Sequence, residues 1–428
     1  MDSSSSDVKV KIPWYNTDSG SYALMDVTLS GLFSLRTMSG NYAKFYFEPS
    51  LTKKGLAGPS PQLQFFKNSQ GVYIAKDFVS LQAASVYAAM EQMAHLDQQV
   101  GAEAVNRWPR EIGMAVRVMD SGSLVRNNAL YDGDSDAILI MNYTFPDMPM
   151  YFNLGILAHE HFHSLFYKLV LKRVRDQMET MGLARPSSAL SSAVTSLTPH
   201  DDLKKTLRQS MGFEKNIVEE RDDKEHKTPE AMYMSTYLRG INEGMADFWA
   251  WVFTNDPDFI ARSLPSEKEN RSLTTTRQGL LTEVRSEEKL RQEVQNIHSR
   301  SFDSSSDSTR LAYSLGTEHA RLLKLLTQLL VDTRGVSLRE AKLLTSRALI
   351  KILTELPTVI FSKNKEFKFG PYDLVKKLGE ALELQNSSSS ECQFLADLLN
   401  VTKSGSQKTL NCELNSKEGK YKLKEINL

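Results

Sequence analysis

Three things are scarce in this chain, and each scarcity narrows what it can be. Charge of either sign is not in surplus: Lys+Arg and Asp+Glu number 52 each, giving a formal net charge of +0. Nucleic acids and anionic membranes favour a basic surplus, so no nucleic acid is expected as partner. No stretch approaches the roughly 18 consecutive apolar residues of a transmembrane helix, so no membrane span is expected. Cysteine is limited to two residues, Cys392 and Cys412. No CxxC spacing suggests a sulfur-bound metal. The two lie close together near the C-terminus, and both readings stay open: one disulfide in an oxidising compartment, or two free thiols. The opening MDSSSSDVKV lacks the apolar region of a signal peptide. At face value that is a cytoplasmic protein. A periplasmic or secreted protein with its leader cut away and a Met added opens the same way. The exported reading is carried forward, with the cytoplasmic one as its alternative.

What is present points to a folded, multi-domain chain. Its 428 residues fit two or three domains of about 100–200 residues each. An apolar content of 41% is enough to fill their cores. Residues 8–77 read as strands: 22–35, 42–51, 62–66 and 72–74 are rich in aromatic and branched residues and are separated by Gly, Ser, Pro and Asn. From Phe78 to about Val100 the pattern is helical, without Gly or Pro. Strand-like runs follow at 113–119 and 137–143, with a strand edge and turn at 127–133 between them. A strong amphipathic helix is expected over about 152–178. A polar stretch, roughly 184–232, reads as an insertion. Beyond it helices are expected at 236–254, 276–297, 309–332, 336–355 and 371–384, with a low-complexity loop at 301–308. No internal repeat is visible.

The chemistry sits on the helix at 152–178. His159-Glu160-His161-Phe162-His163 matches HExxH, and three of the chain's eight histidines fall in it. Four residues make slightly more than one helical turn, so His159 and His163 share a face and can bind one metal. Glu160 can lie beside that metal and take a proton from its water. His161 points to another side and reads as a polar supporting residue. A catalytic zinc site needs a third protein ligand and an open position. The segment Asn242-Glu243-Gly244-Met245-Ala246-Asp247 supplies a carboxylate, Glu243. Asp247, one turn on, can orient a ligating His by accepting from its far nitrogen. Phe248, Trp249, Trp251 and Val252 follow at once, so this helix is substantially buried, and its carboxylates need partners.

HEHFH followed by NEGMAD resembles the gluzincins, zinc metallopeptidases with two His and a downstream Glu, in particular the thermolysin-like peptidases. The resemblance covers roughly 78–255. It implies an α+β protein with a zincin-like catalytic domain. The domains expected are a β-rich region at 1–77, the catalytic domain at 78–255 with the insertion at about 184–232, and a mainly helical C-terminal subdomain at 256–428. The resemblance further implies Zn2+ as cofactor, with His159, His163 and Glu243 as ligands, Glu160 as general base, and Asp247 and Asn242 supporting the ligands. Asn128-Ala129-Leu130-Tyr131-Asp132-Gly133 is similar to the family's substrate-binding edge strand. By that likeness Asn128 and the backbone of Ala129 would hold an extended peptide. A second electrophile would stabilise the oxyanion. Ala312-Tyr313-Ser314-Leu315-Gly316 resembles the aminopeptidase-type Tyr segment, so Tyr313 is the first choice for this role and His319 the second. The activity expected is peptide-bond hydrolysis on a peptide or protein substrate. Two alternatives are kept: a zinc hydrolase of a non-peptide bond, and a non-catalytic binding protein on a peptidase scaffold.

Overall fold

The helix expected to carry the metal ligands forms with no solvent-facing side. In the computed structural model every residue of Leu154–Phe166 is buried, so the amphipathic helix expected here has no solvent-facing side over this stretch. The structure describes residues 6–16, 19–52, 55–120, 123–181, 194–196, 228–300, 304–362, 366–403, 408–416 and 419–427. Most of the expected insertion at 184–232 lies outside the described residues.

The chain divides into two units. The first comprises Met1–Tyr167, Ser192–Glu225 and Trp249–Ser272. It opens with two long antiparallel strands, β1 (Ser6–Asn16) and β2 (Ser21–Ser34). With β3 (Ser39–Gly40), β7 (Phe65–Lys67) and β8 (Tyr73–Ala75) they form a sheet of order β3-β2-β1-β8-β7. Between them lie β4 (Ala43–Phe47), β5 (Ser50–Thr52) and β6 (Gly55–Ala57). The strand expected at 42–51 is thus split; Glu48 takes a positive φ of 43°, which ends extended pairing. Helix α1 (Phe78–Val100) keeps its expected bounds. Asp77 caps its start by accepting from Ser80 N, and Gly101 ends it in the left-handed region.

A second sheet positions the site. It contains β9 (Arg110–Val116), β12 (Ala129–Asp132), β13 (Ala137–Met141) and β14 (Val194–Ser196) in the order β14-β12-β13-β9-β4. A small hairpin, β10 (Val118–Asp120) and β11 (Ser123–Val125), precedes β12. Both β12 and β13 are buried throughout. That explains their near-continuous apolar sequences. β12 packs against the helix Leu154–Phe166, here α2.

The second unit comprises Lys168–Ser191, His226–Phe248 and Leu273–Leu428. The chain leaves α2 through a π-helical turn, Tyr167–Leu171, into α3 (Lys172–Thr180). One straight helix over 152–178 is therefore replaced by three segments. Helix α4 (Pro229–Thr254) is longer than expected and contributes to both units. After the short α5 (Lys268–Arg271) of the first unit, α6 (Arg277–Glu283) and α7 (Glu287–Ser299) replace the single helix expected at 276–297. Ser286 breaks it by capping α7 through its side chain. Helix α8 (Ser304–Arg334) starts inside the expected 301–308 loop. It is followed by α9 (Leu338–Val359) and α10 (Pro371–Ala381).

The mixed α/β class, the β-rich N-terminal region and the helical C-terminal part agree with expectation. The tail, beyond the last expected helix, adds a small sheet. Beyond α10 come β15 (Asn386–Ser387), α11 (Ser389–Thr402), β16 (Lys408–Asn415) and β17 (Lys420–Asn427). The strands form a sheet of order β15-β17-β16, and a Cys392–Cys412 disulfide ties α11 to β16. The C-terminal part is thus helical with a small sheet closing it. No described helix is long and apolar enough to cross a membrane.

Candidate metal centre

The entry of α2 is fixed before any ligand appears. Asn153 caps it, accepting from Gly155 N at 3.1 Å and Ile156 N at 3.2 Å. Its Nδ2 donates to Phe259 O at 2.8 Å and Ser263 Oγ at 2.9 Å, which anchors the helix start. Leu154 N donates to Tyr22 Oη at 2.9 Å. A side chain at Gly155 would meet the Phe259 ring at 2.5 Å, so the helix approaches its neighbour as closely as a bare backbone allows. Phe162 packs on Trp249 with ring centres 5.3 Å apart, and both are fully buried.

One turn of this helix gathers the donors. His159 Nε2 and His163 Nε2 lie 2.9 Å apart, with the rings nearly perpendicular at 86°. One ligand atom each from His159, Glu160 and His163 lie within 4.8 Å of one another, and all three residues are buried. Two imidazoles and a carboxylate form a donor set for a borderline divalent cation such as zinc. A cation there would offset the cost of enclosing a carboxylate in a dry interior. The group could hold a metal ion.

The other expected site residues fall into two sets. Asn128 and Ala129 belong to the first unit, as does the His159–Glu160–His163 group, and both are fully buried. Asn128 O accepts from Met141 N at 3.0 Å. The outer side of β12 is not open along its length. β14 pairs with it antiparallel, with Leu130 opposite Ser196, Tyr131 opposite Thr195 and Asp132 opposite Val194. The expectation of a free edge is corrected there: the chain's own strand takes the backbone groups of Leu130–Asp132.

Asn242, Glu243, Asp247, Tyr313 and His319 belong to the second unit. Asn242, Glu243 and Asp247 are buried on α4. Beside Glu243, α4 and α8 cross at bare backbone. A side chain at Gly244 would lie 2.2 Å from Gly316 O, and one at Gly316 would lie 3.0 Å from Glu243 Cβ. The glycines of NEGMAD and AYSLG are what permit this approach, a signal that motif spacing alone does not reveal. Tyr313 lies well inside α8 rather than at its start. The Arg239 guanidinium sits 5.5 Å from its ring centre. His319 is buried, its Nδ1 is 2.6 Å from Leu315 O, and its ring meets Tyr237 edge-on. Burial pushes its pKa down to about 4, opposed by the Leu315 hydrogen bond and helped by Arg285.

Sequence reasoning missed the residues around His161. This side chain is fully buried and bonds to Asp97 on α1. The signal was weak: Asp97 is one of two buried acidic residues on α1, the other being Glu91. No protein-family model matches the chain, and no curated protein matches it either.

Proposed function

We propose that this protein is a zinc-dependent peptidase of the gluzincin type, thermolysin-like in the arrangement of its motifs. The observation that carries the reading is the enclosed His159–Glu160–His163 group on one turn of α2. His159 and His163 would hold the metal. Glu243 is taken as the third ligand, on its motif and its burial beside Asp247 and Asn242. A bound zinc ion would supply a Lewis acid and an acidified water.

The chain's own residues do the rest. Glu160 accepts the proton of the attacking water and returns it to the leaving amine, so one carboxylate serves both half-reactions. The burial of Glu160 excludes bulk water from that exchange. Tyr313 is the preferred donor to the oxyanion. His319 is the weaker choice, because its Nδ1 is engaged by Leu315 and its ring is held neutral. Asn128 and Ala129 would take the backbone of an extended peptide.

Metal analysis of the full chain, together with a broad peptide-cleavage assay, tests this reading. Glu160→Gln should retain zinc and lose about 10²–10⁴-fold in turnover. Near-normal turnover in that variant would remove Glu160 as the base. Bound zinc without cleavage of any peptide would favour the non-peptide hydrolase or the binding protein.

A further inference from the structure

The metal-ligand helix has a second polar face that hydrolysis does not use. His161 Nε2 lies 3.1 Å from each carboxylate oxygen of Asp97, and both residues are fully buried. Trp108 covers the imidazole, ring centres 5.7 Å apart at a tilt of 32°. Asp97 Oδ2 also accepts from Asn106 Nδ2 at 3.3 Å. Asn106 Oδ1 lies 2.9 Å from Ser164 Oγ, again on α2, and 3.4 Å from Arg110 Nη1. Arg110 is 1% exposed and opens β9. The same Nη1 donates to Asp136 Oδ1 at 3.0 Å, and Tyr131 Oη donates to that oxygen, also at 3.0 Å. Tyr131 is part of β12.

A continuous chain, buried except at the partly exposed Asp136, therefore runs from α1 through the metal-ligand helix to the strand beside Asn128 and Ala129. Stability alone is a poor reason for it. Buried ion pairs are often matched or bettered by apolar residues of similar volume. Arg110 Nε and Nη2 are enclosed without a hydrogen-bond partner, which adds to the cost. Directional bonds do something that apolar packing does not: they penalise small rotations and slides of a helix. Ligands and substrate backbone must be held to within about 0.5 Å of productive geometry.

We propose that Asp97, His161, Asn106, Arg110, Asp136 and Tyr131 form a positioning network that sets the metal-ligand helix against the peptide-holding strand, with Arg110 as its junction. This inference rests on the peptidase reading for its substrate end and on metal binding for its other end. The two ends can be separated by experiment in the full chain. Asp97→Asn keeps the shape and removes the carboxylate charge. It should raise the zinc Kd about tenfold, measured by competition with a chelating dye; that is the low end of the cost of losing a ligand's own partner, because Asp97 acts through His161 on the ligand helix. It should also alter the visible spectrum of the cobalt-loaded protein. Arg110→Met should leave the zinc Kd near wild type and raise KM for a mixed peptide substrate about tenfold, with a smaller change in kcat.

Lower melting temperatures in both variants, with zinc Kd, cobalt spectrum and KM all at wild-type values, would overturn the proposal and leave a purely structural network. If Asp97→Asn does not fold, Ser164→Ala removes one bond of the same chain and takes the same metal measurements, with the same outcomes deciding. A protein that binds zinc but cleaves no peptide would sink the peptidase reading alone, and the shift in zinc Kd would still decide the metal end. A wild-type chain that binds no zinc would overturn both.

Discussion

Two buried histidine settings in this molecule can be set side by side. In the first unit, His159 and His163 converge with Glu160 on one turn of α2. In the second unit, His319 is also enclosed, yet its bonded nitrogen faces a backbone carbonyl and the charge that acts on it is the Arg285 cation. Burial is common to both. What differs is the company: carboxylate and imidazole donors in one, a carbonyl and a like charge in the other. The first setting could hold a cation, and the second keeps a neutral ring. Convergence of donors, rather than burial of a titratable group, is what marks a candidate metal centre here.

The sharpest way to break the comparison is to delete one histidine from each setting. His163→Ala should abolish stoichiometric zinc binding, read by elemental analysis after dialysis, while His319→Asn should leave it intact. Full zinc occupancy in the first variant would take His163 out of the ligand set. Next in size, Phe162→Ala removes packing from α2 without touching a donor. It should cost about 3–5 kcal/mol of stability by denaturant unfolding and leave the stoichiometry of metal binding unchanged. Loss of both together would mean that donor geometry depends on core packing as much as on polar bonds.

The second setting should declare itself through pH. His319 has its pKa depressed from 6.5 to about 4 in the folded protein. The unfolded chain then binds the proton more readily, so stability is full above pH 6.5 and falls as the pH drops toward 4. The loss attributable to this group is about 3 kcal/mol across that window. His319→Asn should flatten the slope; an unchanged slope would assign it to other groups. The smallest effect concerns β12. Thr195→Pro removes a backbone donor from β14 and disfavours its pairing. If a peptide uses the same outer side of β12, kcat/KM should rise about tenfold, as for a competitor released from a shared position. No change would place the substrate elsewhere.

Much of this was legible in the sequence because the signals were local. Helix α1 reads from Phe78 to Val100 because its apolar periodicity is unbroken and Asp77 and Gly101 mark its ends. HExxH reads as a site because helix geometry alone brings positions four apart together. The mixed class and the β-rich start follow from composition shifts. The failures were of long range. Asp97 is 64 residues from His161, and nothing in either neighbourhood names the other. β14 is short and gains its place only by pairing with β12. The C-terminal hairpin reads poorly because its strands are rich in Lys, Glu and Asn, and Leu414 and Ile426 are exposed rather than buried. The π-turn after Phe166 depends on where the helix goes next, which periodicity does not encode.

Helix α2 has no surface of its own, and that changes what a metal held there would do. His159, Glu160 and His163 must enter a dry interior whether or not an ion is present. A bound ion would then be part of the packing as well as of the proposed chemistry. Loading would act as a checkpoint on assembly, with the metal-free chain enclosing polar groups at a cost that the loaded chain recovers. A ligand that binds only the folded state raises stability in step with its concentration over Kd. Removal by a chelator should therefore be visible as a lower melting temperature in a protein that has not been asked to cleave anything.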